Sequence, residues 1–294
     1  MQNSTKLTET IEDIVLRHGS RGMNVLKKSL PADYSHKAAE MILSWQKGRT
    51  ILLTTGFYVA GYAETDGPAG TVFLALALKK LGFNPVIVTD SFCKDFFELK
   101  GLEVAYMPFD GTEKYCSALL EKYQPVGLIS VERCGINING RYENMRRESI
   151  GEFTARTDIL FTLAYGKIPT IGVGDGGNEI GMGNVAELIS SKLSLVPCSV
   201  KVDCLVIASV SNWGAYSIVA YLDALSQKNG LLPDFKEIED YICITVKIGS
   251  VDGVKREKIV GVDGFGMDTE KEIILALKNA VINYKNGENA YVES

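Results

Sequence analysis

Short apolar runs of strand length alternate with stretches of helical periodicity along almost the whole chain. No other feature of the sequence limits the fold as strongly. The runs fall at 50–55, 85–89, 104–107, 126–131, 170–173, 203–210 and 241–246. Between and around them, apolar residues recur every three or four positions at 7–17, 35–45, 69–81, 112–122, 153–163, 179–193, 215–225 and 269–284. Strands separated by helices cannot pair as tight hairpins, and their connections must cross the faces of the sheet. The expectation is an α/β protein of three layers, a largely parallel sheet with helices on both faces. Residues 1–294 read as a single domain without repeats, and 228–237 is the best stretch for a short solvated connection.

In such sheets ligands bind beyond the carboxyl ends of the strands. One strand end stands out there, Ile171-Gly-Val-Gly-Asp-Gly-Gly-Asn-Glu-Ile-Gly-Met-Gly183. Its glycines permit positive φ and close approach of a ligand, and the segment reads as strand, turn and then a helix carrying Val185, Leu188 and Ile189. Asp175 and Glu179 in a buried turn are unfavourable unless they serve a metal, a proton or an ammonium group. Gly172-Val-Gly-Asp-Gly-Gly177 also matches the G-x-G-x-x-G pattern. Asp175 would face a pyrophosphate, however, and no ribose-binding acid follows about 20 residues on, so no nucleotide cofactor is expected.

Three further turns follow strands. Glu64-Thr-Asp-Gly-Pro68 leads into an alanine- and leucine-rich helix. Asp66 there is either a helix cap or, with Glu64, a ligand for a cation. The loop from Glu132 to Arg147 gathers Glu132, Arg133, Asn144 and Arg146, and arginine's planar fork suits carboxylate or phosphate. Val210-Ser-Asn-Trp-Gly-Ala-Tyr216 places Asn212 as a cap or as a ligand-facing amide. Val251-Asp-Gly253 and Val262-Asp-Gly264 read as turns only.

Composition narrows the chemistry. With two histidines, His18 and His36, a histidine-based triad or zinc site is nearly excluded, and any metal needs oxygen ligands. The six cysteines form no C-x-x-C pair; Cys204 and Cys243 read as core thiols within strands. A net charge of −5 without a Lys/Arg cluster argues against nucleic acid. No apolar run is long enough to span a membrane. The first residues lack an apolar signal core, and Glu9, Glu12 and Asp13 disfavour a transit peptide, so a cytoplasmic location is expected. An oligomer is compatible with all of this.

The order of these motifs resembles the D-glutamate cyclase family. The matching stretches are Thr55-Gly-Phe57, Glu64-Thr-Asp-Gly-Pro68, Leu81-Gly82, Val88-Thr-Asp90, Glu132-Arg133, Asn144-Met-Arg146, Gly174-Asp-Gly-Gly-Asn-Glu-Ile-Gly-Met-Gly183 and Val210-Ser-Asn-Trp-Gly-Ala-Tyr216. Together they span from about residue 10 to 285. The resemblance implies a lyase that converts D-glutamate to 5-oxo-D-proline and water. On that reading Asp66, Asp175 and Glu179 carry the acid–base work. Glu132, Arg133, Asn144, Arg146, Gly176, Gly177 and Asn212 bind a small acidic substrate, with Arg133 on its α-carboxylate. Glu64, Asp66, Asp175 and Asn178 would ligate a divalent ion, Mn²⁺ or Mg²⁺. The same residues are compatible with a metal-dependent phosphoester hydrolase and with a non-catalytic protein that binds an acidic metabolite.

Overall fold

The computed structural model describes residues 9–193, 195–226 and 228–287. Its centre is a six-stranded sheet in which every pairing is parallel. In chain order the elements begin with α1 (Ile11–Val15), α2 (Met23–Leu26), α3 (Tyr34–Ser44) and β1 (Thr50–Thr54). A small hairpin, β2 (Tyr58–Val59) and β3 (Tyr62–Ala63), precedes α4 (Pro68–Lys80), β4 (Asn84–Thr89) and β5 (Glu103–Tyr106). Then come α5 (Glu113–Tyr123), β6 (Gly127–Val131), α6 (Asp158–Ala164), β7 (Thr170–Gly174), α7 (Ala186–Leu188) and β8 (Cys204–Ile207). The chain continues through α8 (Ser211–Leu225), α9 (Phe235–Ile248), the hairpin β9 (Gly261–Val262) and β10 (Phe265–Gly266), and α10 (Met267–Lys285).

The strand order is β5-β4-β1-β6-β7-β8. The chain therefore runs outward from β1 in one direction, then returns and runs outward from β6 in the other. A crevice opens where the direction reverses, between the carboxyl ends of β1 and β6, and such a crevice is the favoured ligand position in open α/β sheets. The central strands are buried along both faces, as a sheet covered by helices requires. On one side α8 packs among α3, α4 and α10, while α5 and α6 pack on each other. The nearly all-buried sequence of α8, including Trp213, Tyr216 and Ile218, makes it the central helix of its layer.

Several expected elements differ. The run 241–246 is not a strand but the middle of α9. Its buried residues Ile238, Tyr241, Ile242, Thr245 and Val246 recur at helical spacing, and a short apolar run alone cannot separate the two states. An Asp234–Glu237 capping box starts that helix, so the solvated connection ends at Asp234. Cys243 accordingly lies half-buried on a helix, whereas Cys204 is a buried strand thiol. The helix expected over 179–193 is broken into a 3₁₀ turn (Met182–Val185), α7 and a π turn (Ile189–Leu193). Gly181 has φ 106°, and a Cβ on Gly183 would fall 2.6 Å from the Ser199 carbonyl, so close packing replaces helical regularity there. The stretch 153–163 begins as a 3₁₀ turn and becomes helical only at Asp158. The N-terminal helix is shorter than its periodicity, Ile11–Val15, and the first part of 7–17 lies outside the described residues.

Candidate functional site

Two acids sit in turns beside the crevice. The turn after β3 carries Asp66, which accepts from the backbone N–H groups of Ser211 (2.9 Å) and Asn212 (2.7 Å). Asp66 is thus a helix cap, but of α8 rather than of the α4 that follows it in sequence. A carboxylate at a helix N-terminus is favoured by the unsatisfied N–H groups and by the helix dipole. Glu132 follows β6 with φ 46°, a left-handed conformation uncommon for a residue with a side chain, and accepts from the Ser211 hydroxyl at 2.5 Å. Gly67 permits the two turns to meet: a Cβ there would lie 2.8 Å from the Cβ of Glu132.

The glycine-rich turn after β7 is organised by its own glutamate. Glu179 accepts from the N–H groups of Gly176 (2.8 Å) and Gly177 (2.7 Å). These donors are therefore engaged within the turn, which corrects their expected role as substrate contacts. The expectation weighed residue type, whereas Glu179 lies within reach of both amides. Asp175 is fully buried with Oδ2 unpartnered, and Asn178 donates to the Glu143 carbonyl while its Oδ1 has no partner.

Two residues that the sequence did not mark complete the cluster. Arg21, between α1 and α2, places Nη1 2.6 Å from Asp175 and 2.8 Å from Asp263. Asp263 and Gly264 are the two turn residues of the β9–β10 hairpin, with φ 53° and 83°. An Asp-Gly hairpin turn was legible in the sequence; that its carboxylate meets Arg21 was not. Gly253 is needed at the opposite wall, since a Cβ there would fall 2.0 Å from Glu64 Oε2.

Five buried carboxylates, Glu64, Glu132, Asp175, Glu179 and Asp263, thus line one cleft with this arginine, and a sixth, Asp66, lies behind Glu132 and Asp175. Burial, reinforced by neighbouring acids, holds their protons. Asp175 is pushed up to about 8 by burial, with Arg21 opposing and Asp66 and Glu179 adding to the rise, and Asp263 is pushed up to about 8 by burial and by Asp175, with Arg21 opposing. Asp66 is pushed up to about 7 by burial and by Asp263, against the N–H groups of α8. Glu64 and Glu132 are raised well above the usual range by burial, then by Asp263 and Asp175 respectively. Glu179 is also raised by burial, with its backbone donors opposing. Closely packed carboxyls that cannot all ionise share protons and can both give and take them near neutrality.

The acids open into a cleft of about 190 Å³ lined by Arg21, Glu64, Glu132, Asp175, Asn178, Glu179 and Asp263. Asn144 and Arg146 stand at its mouth beside Val254 and Arg256. Asn144 folds its own loop by accepting from the N–H groups of Arg146 (2.9 Å) and Glu148 (3.1 Å), and Arg146 donates to the Val254 carbonyl at 3.2 Å. Arg133 and Asn212 are not among the lining residues. The Arg133 guanidinium is buried against Asp90 (2.7 Å) and donates to the carbonyls of Gly56 (2.5 Å) and Ala155 (2.6 Å). Its expected grip on a substrate carboxylate is therefore replaced by a tie between loops. Asn212 Oδ1 accepts from Gly67 (3.0 Å) and Gly70 (2.6 Å), joining α8 to the start of α4.

Oxygen atoms of Asp66, Glu132 and Asp175 all lie within 4.8 Å of one another. With the unpartnered Oδ2 of Asp175 and Oδ1 of Asn178 nearby, this oxygen set fits a hard divalent ion. Of the expected ligands it retains Asp66 and Asp175, adds Glu132, and leaves Glu64 against Gly253.

A family model described as D-glutamate cyclase-like, C-terminal, matches residues 11–278. The human protein "D-glutamate cyclase, mitochondrial" is 34% identical over 246 residues, which is 74% of this chain and 39% of that protein. The chain thus spans about two fifths of the length of that relative. Among solved structures, a variant actinorhodin polyketide ketoreductase with NADPH aligns over 80% of this chain and 90% of its own, at 13% identity and a TM-score of 0.29. A putative uncharacterized protein from Mycobacterium paratuberculosis aligns over 83% and 97% at 12% identity and 0.25. At those scores neither structural likeness carries an argument.

Proposed function

The chain belongs to the D-glutamate cyclase-like family, and from that premise we propose that its acidic cleft closes D-glutamate into 5-oxo-D-proline with loss of water. The observation that carries this reading is five buried carboxylates, Glu64, Glu132, Asp175, Glu179 and Asp263, lining one small cleft with Arg21 at the switch point of the sheet, with Asp66 directly behind Glu132 and Asp175. The cyclisation joins the α-nitrogen to the γ-carbon. Two protons must leave the ammonium group, and two must arrive on the oxygen that departs as water, so the reaction needs neighbouring groups that accept and return protons.

Carboxyls with affinities near neutrality suit that exchange. Asp175, through its unpartnered Oδ2, is the acceptor of the ammonium proton, and Asp263, bridged to it by Arg21, is the donor to the departing oxygen. Asp66 and Glu179 act around them: each accepts backbone N–H groups and holds the shape of its turn. The carboxyl oxygens around the cleft can accept hydrogen bonds from an ammonium group and, at the mouth, Arg146 and Arg256 offer positive charge to a carboxylate. A divalent ion, Mn²⁺ or Mg²⁺, held by Asp66, Glu132 and Asp175 with Asn178, would supply Lewis-acid polarisation of the carboxyl group.

A phosphoester hydrolase has less support, because the turn amides that would hold phosphate are bonded to Glu179. The test is incubation of the purified chain with D-glutamate, with and without Mn²⁺ or Mg²⁺, followed by chiral chromatography. Release of 5-oxo-D-proline, with L-glutamate the poorer substrate, is expected. Hydrolysis of an aryl phosphate with D-glutamate untouched would transfer the assignment to the hydrolase. Binding of D-glutamate with no turnover under any metal condition would leave an acidic-metabolite binding protein.

A further inference from the structure

We infer that Arg21 binds the γ-carboxylate of the substrate, the group that reacts, and stabilises the negative charge that forms on its oxygen. This rests on the cyclase reading above. Arg21 reaches the cleft from a segment fixed on both sides. A Cβ on Gly19 would fall 2.6 Å from Ser209 Oγ, one on Gly22 would fall 2.3 Å from a Leu193 methyl, and the Ser209 N–H donates to the Val15 carbonyl at 2.9 Å. Both Asp175 and Asp263 approach the same nitrogen, Nη1. Among the described residues no partner is recorded for Nε or Nη2, while the side chain lines the cleft with about a fifth of its surface open (22%). One edge of the guanidinium is thus held by the protein and another remains for a ligand. A planar fork fixed in this way is preorganised for a carboxylate.

The position of the fork selects which carboxylate. A group bound there lies beside Asp175 and Asp263, the two acids that share Nη1. The α-carboxylate undergoes no chemistry and has no need of proton-transfer partners. The γ-carboxylate does: when the nitrogen adds to the γ-carbon, the carbonyl electron pair moves onto one oxygen, and as that oxygen re-forms the amide carbonyl the other oxygen takes up two protons and leaves as water. Arg133, the arginine favoured by the sequence, is engaged with Asp90 and two carbonyls.

The experiment measures D-glutamate turnover by the wild-type chain and by Arg21→Lys, together with competitive inhibition by 4-aminobutyrate, which has the amine and the reacting carboxylate but no α-carboxylate. Lysine keeps the charge beside Asp175 and Asp263 but removes the fork. Arg21→Lys should retain the fold by circular dichroism, lower kcat by about 10²-fold, as removal of an oxyanion donor does, and weaken 4-aminobutyrate about tenfold or more. Unchanged turnover, or unchanged inhibition by 4-aminobutyrate, overturns the inference while the cyclase reading stands. Failure of the wild-type chain to cyclise D-glutamate overturns both. If the lysine variant does not fold, the wild-type chain decides: 4-aminobutyrate should inhibit at least tenfold better than its uncharged amide, and equal inhibition overturns the inference.

Discussion

Replacing Asp175 with asparagine separates charge from shape at the centre of the cluster. The change is nearly isosteric and removes one of three carboxylates whose oxygens lie within 4.8 Å of one another. At an effective dielectric of 20, two full charges at that distance repel by about 3 kcal/mol. Loss of Asp175 removes two of the three repulsions, about 7 kcal/mol if all three groups were ionised. It also removes the attraction to Arg21, about 4 kcal/mol for charges centred some 4 Å apart at the same dielectric. Arg21 is not orphaned, because Asp263 remains at 2.8 Å. The net relief is about 3 kcal/mol at most, and it depends on pH. Burial raises the carboxyl of Asp175 from its ordinary value to about 8. The proton it binds in the folded state therefore contributes stability that is complete at low pH and is lost as pH rises through about 8. Asparagine does not titrate. Asp175→Asn should melt with the wild type near pH 4, rise progressively above it as pH increases, and stand several degrees above it near pH 8, read by differential scanning calorimetry across that range. Turnover of D-glutamate should fall by on the order of 10²-fold or more at every pH. A variant less stable than wild type at all pH values would refute the reasoning, since Asp175 would then be a stabilising partner of Arg21 and no more. Full turnover by the variant would remove Asp175 from the chemistry.

Other substitutions probe the supports of the site. Glu179→Gln weakens two charge-assisted contacts to Gly176 and Gly177 and should cost about 1.5–3 kcal/mol in urea unfolding; an unchanged midpoint would show that the turn holds itself. Asn212→Ala leaves the Gly70 N–H and the Thr65 carbonyl without their side-chain partner, and the Gly67 N–H with Asp66 alone, and should destabilise by about 2 kcal/mol. Its residual activity at low temperature should show a KM close to wild type, because the side chain does not line the cleft; a tenfold higher KM would place it on the substrate. Glu270, buried and accepting from Trp213 Nε1 at 2.6 Å, is raised to about 7 by burial. It gives stability that is full below about pH 4 and fades as pH rises through 7. Glu270→Gln should therefore flatten the fall in melting temperature between pH 5 and 7, and a slope identical to wild type would contradict that account.

The sequence by itself determined the class of fold and marked most of the acids that the structure gathers at one cleft. Strand length, helical period and connection length are local properties, and the runs at 50–55, 85–89, 126–131 and 170–173 became central strands with little change. The glycine-rich turn with Asp175, and Glu132 and Asp66 after their strands, were legible because buried acids among turn residues are chemically unusual. Local pattern failed where two states share it, as at 241–246, whose apolar run packs as the inner face of a helix. Only the tertiary structure decided the partners. Arg21 and Asp263 come from segments 242 positions apart in the chain (263 − 21) and meet because the sheet brings the β7 turn between them. Arg133 had the right residue type in the right loop, but Asp90 and the Gly56 and Ala155 carbonyls lie within its reach and take its donors. Asp66 capped a helix as its residue type suggested, yet the helix was α8, 145 residues onward, rather than the one beside it. Hydrogen bonds and ion pairs act over a few ångströms in space. Chain distance carries no information about them once the backbone has folded back on itself.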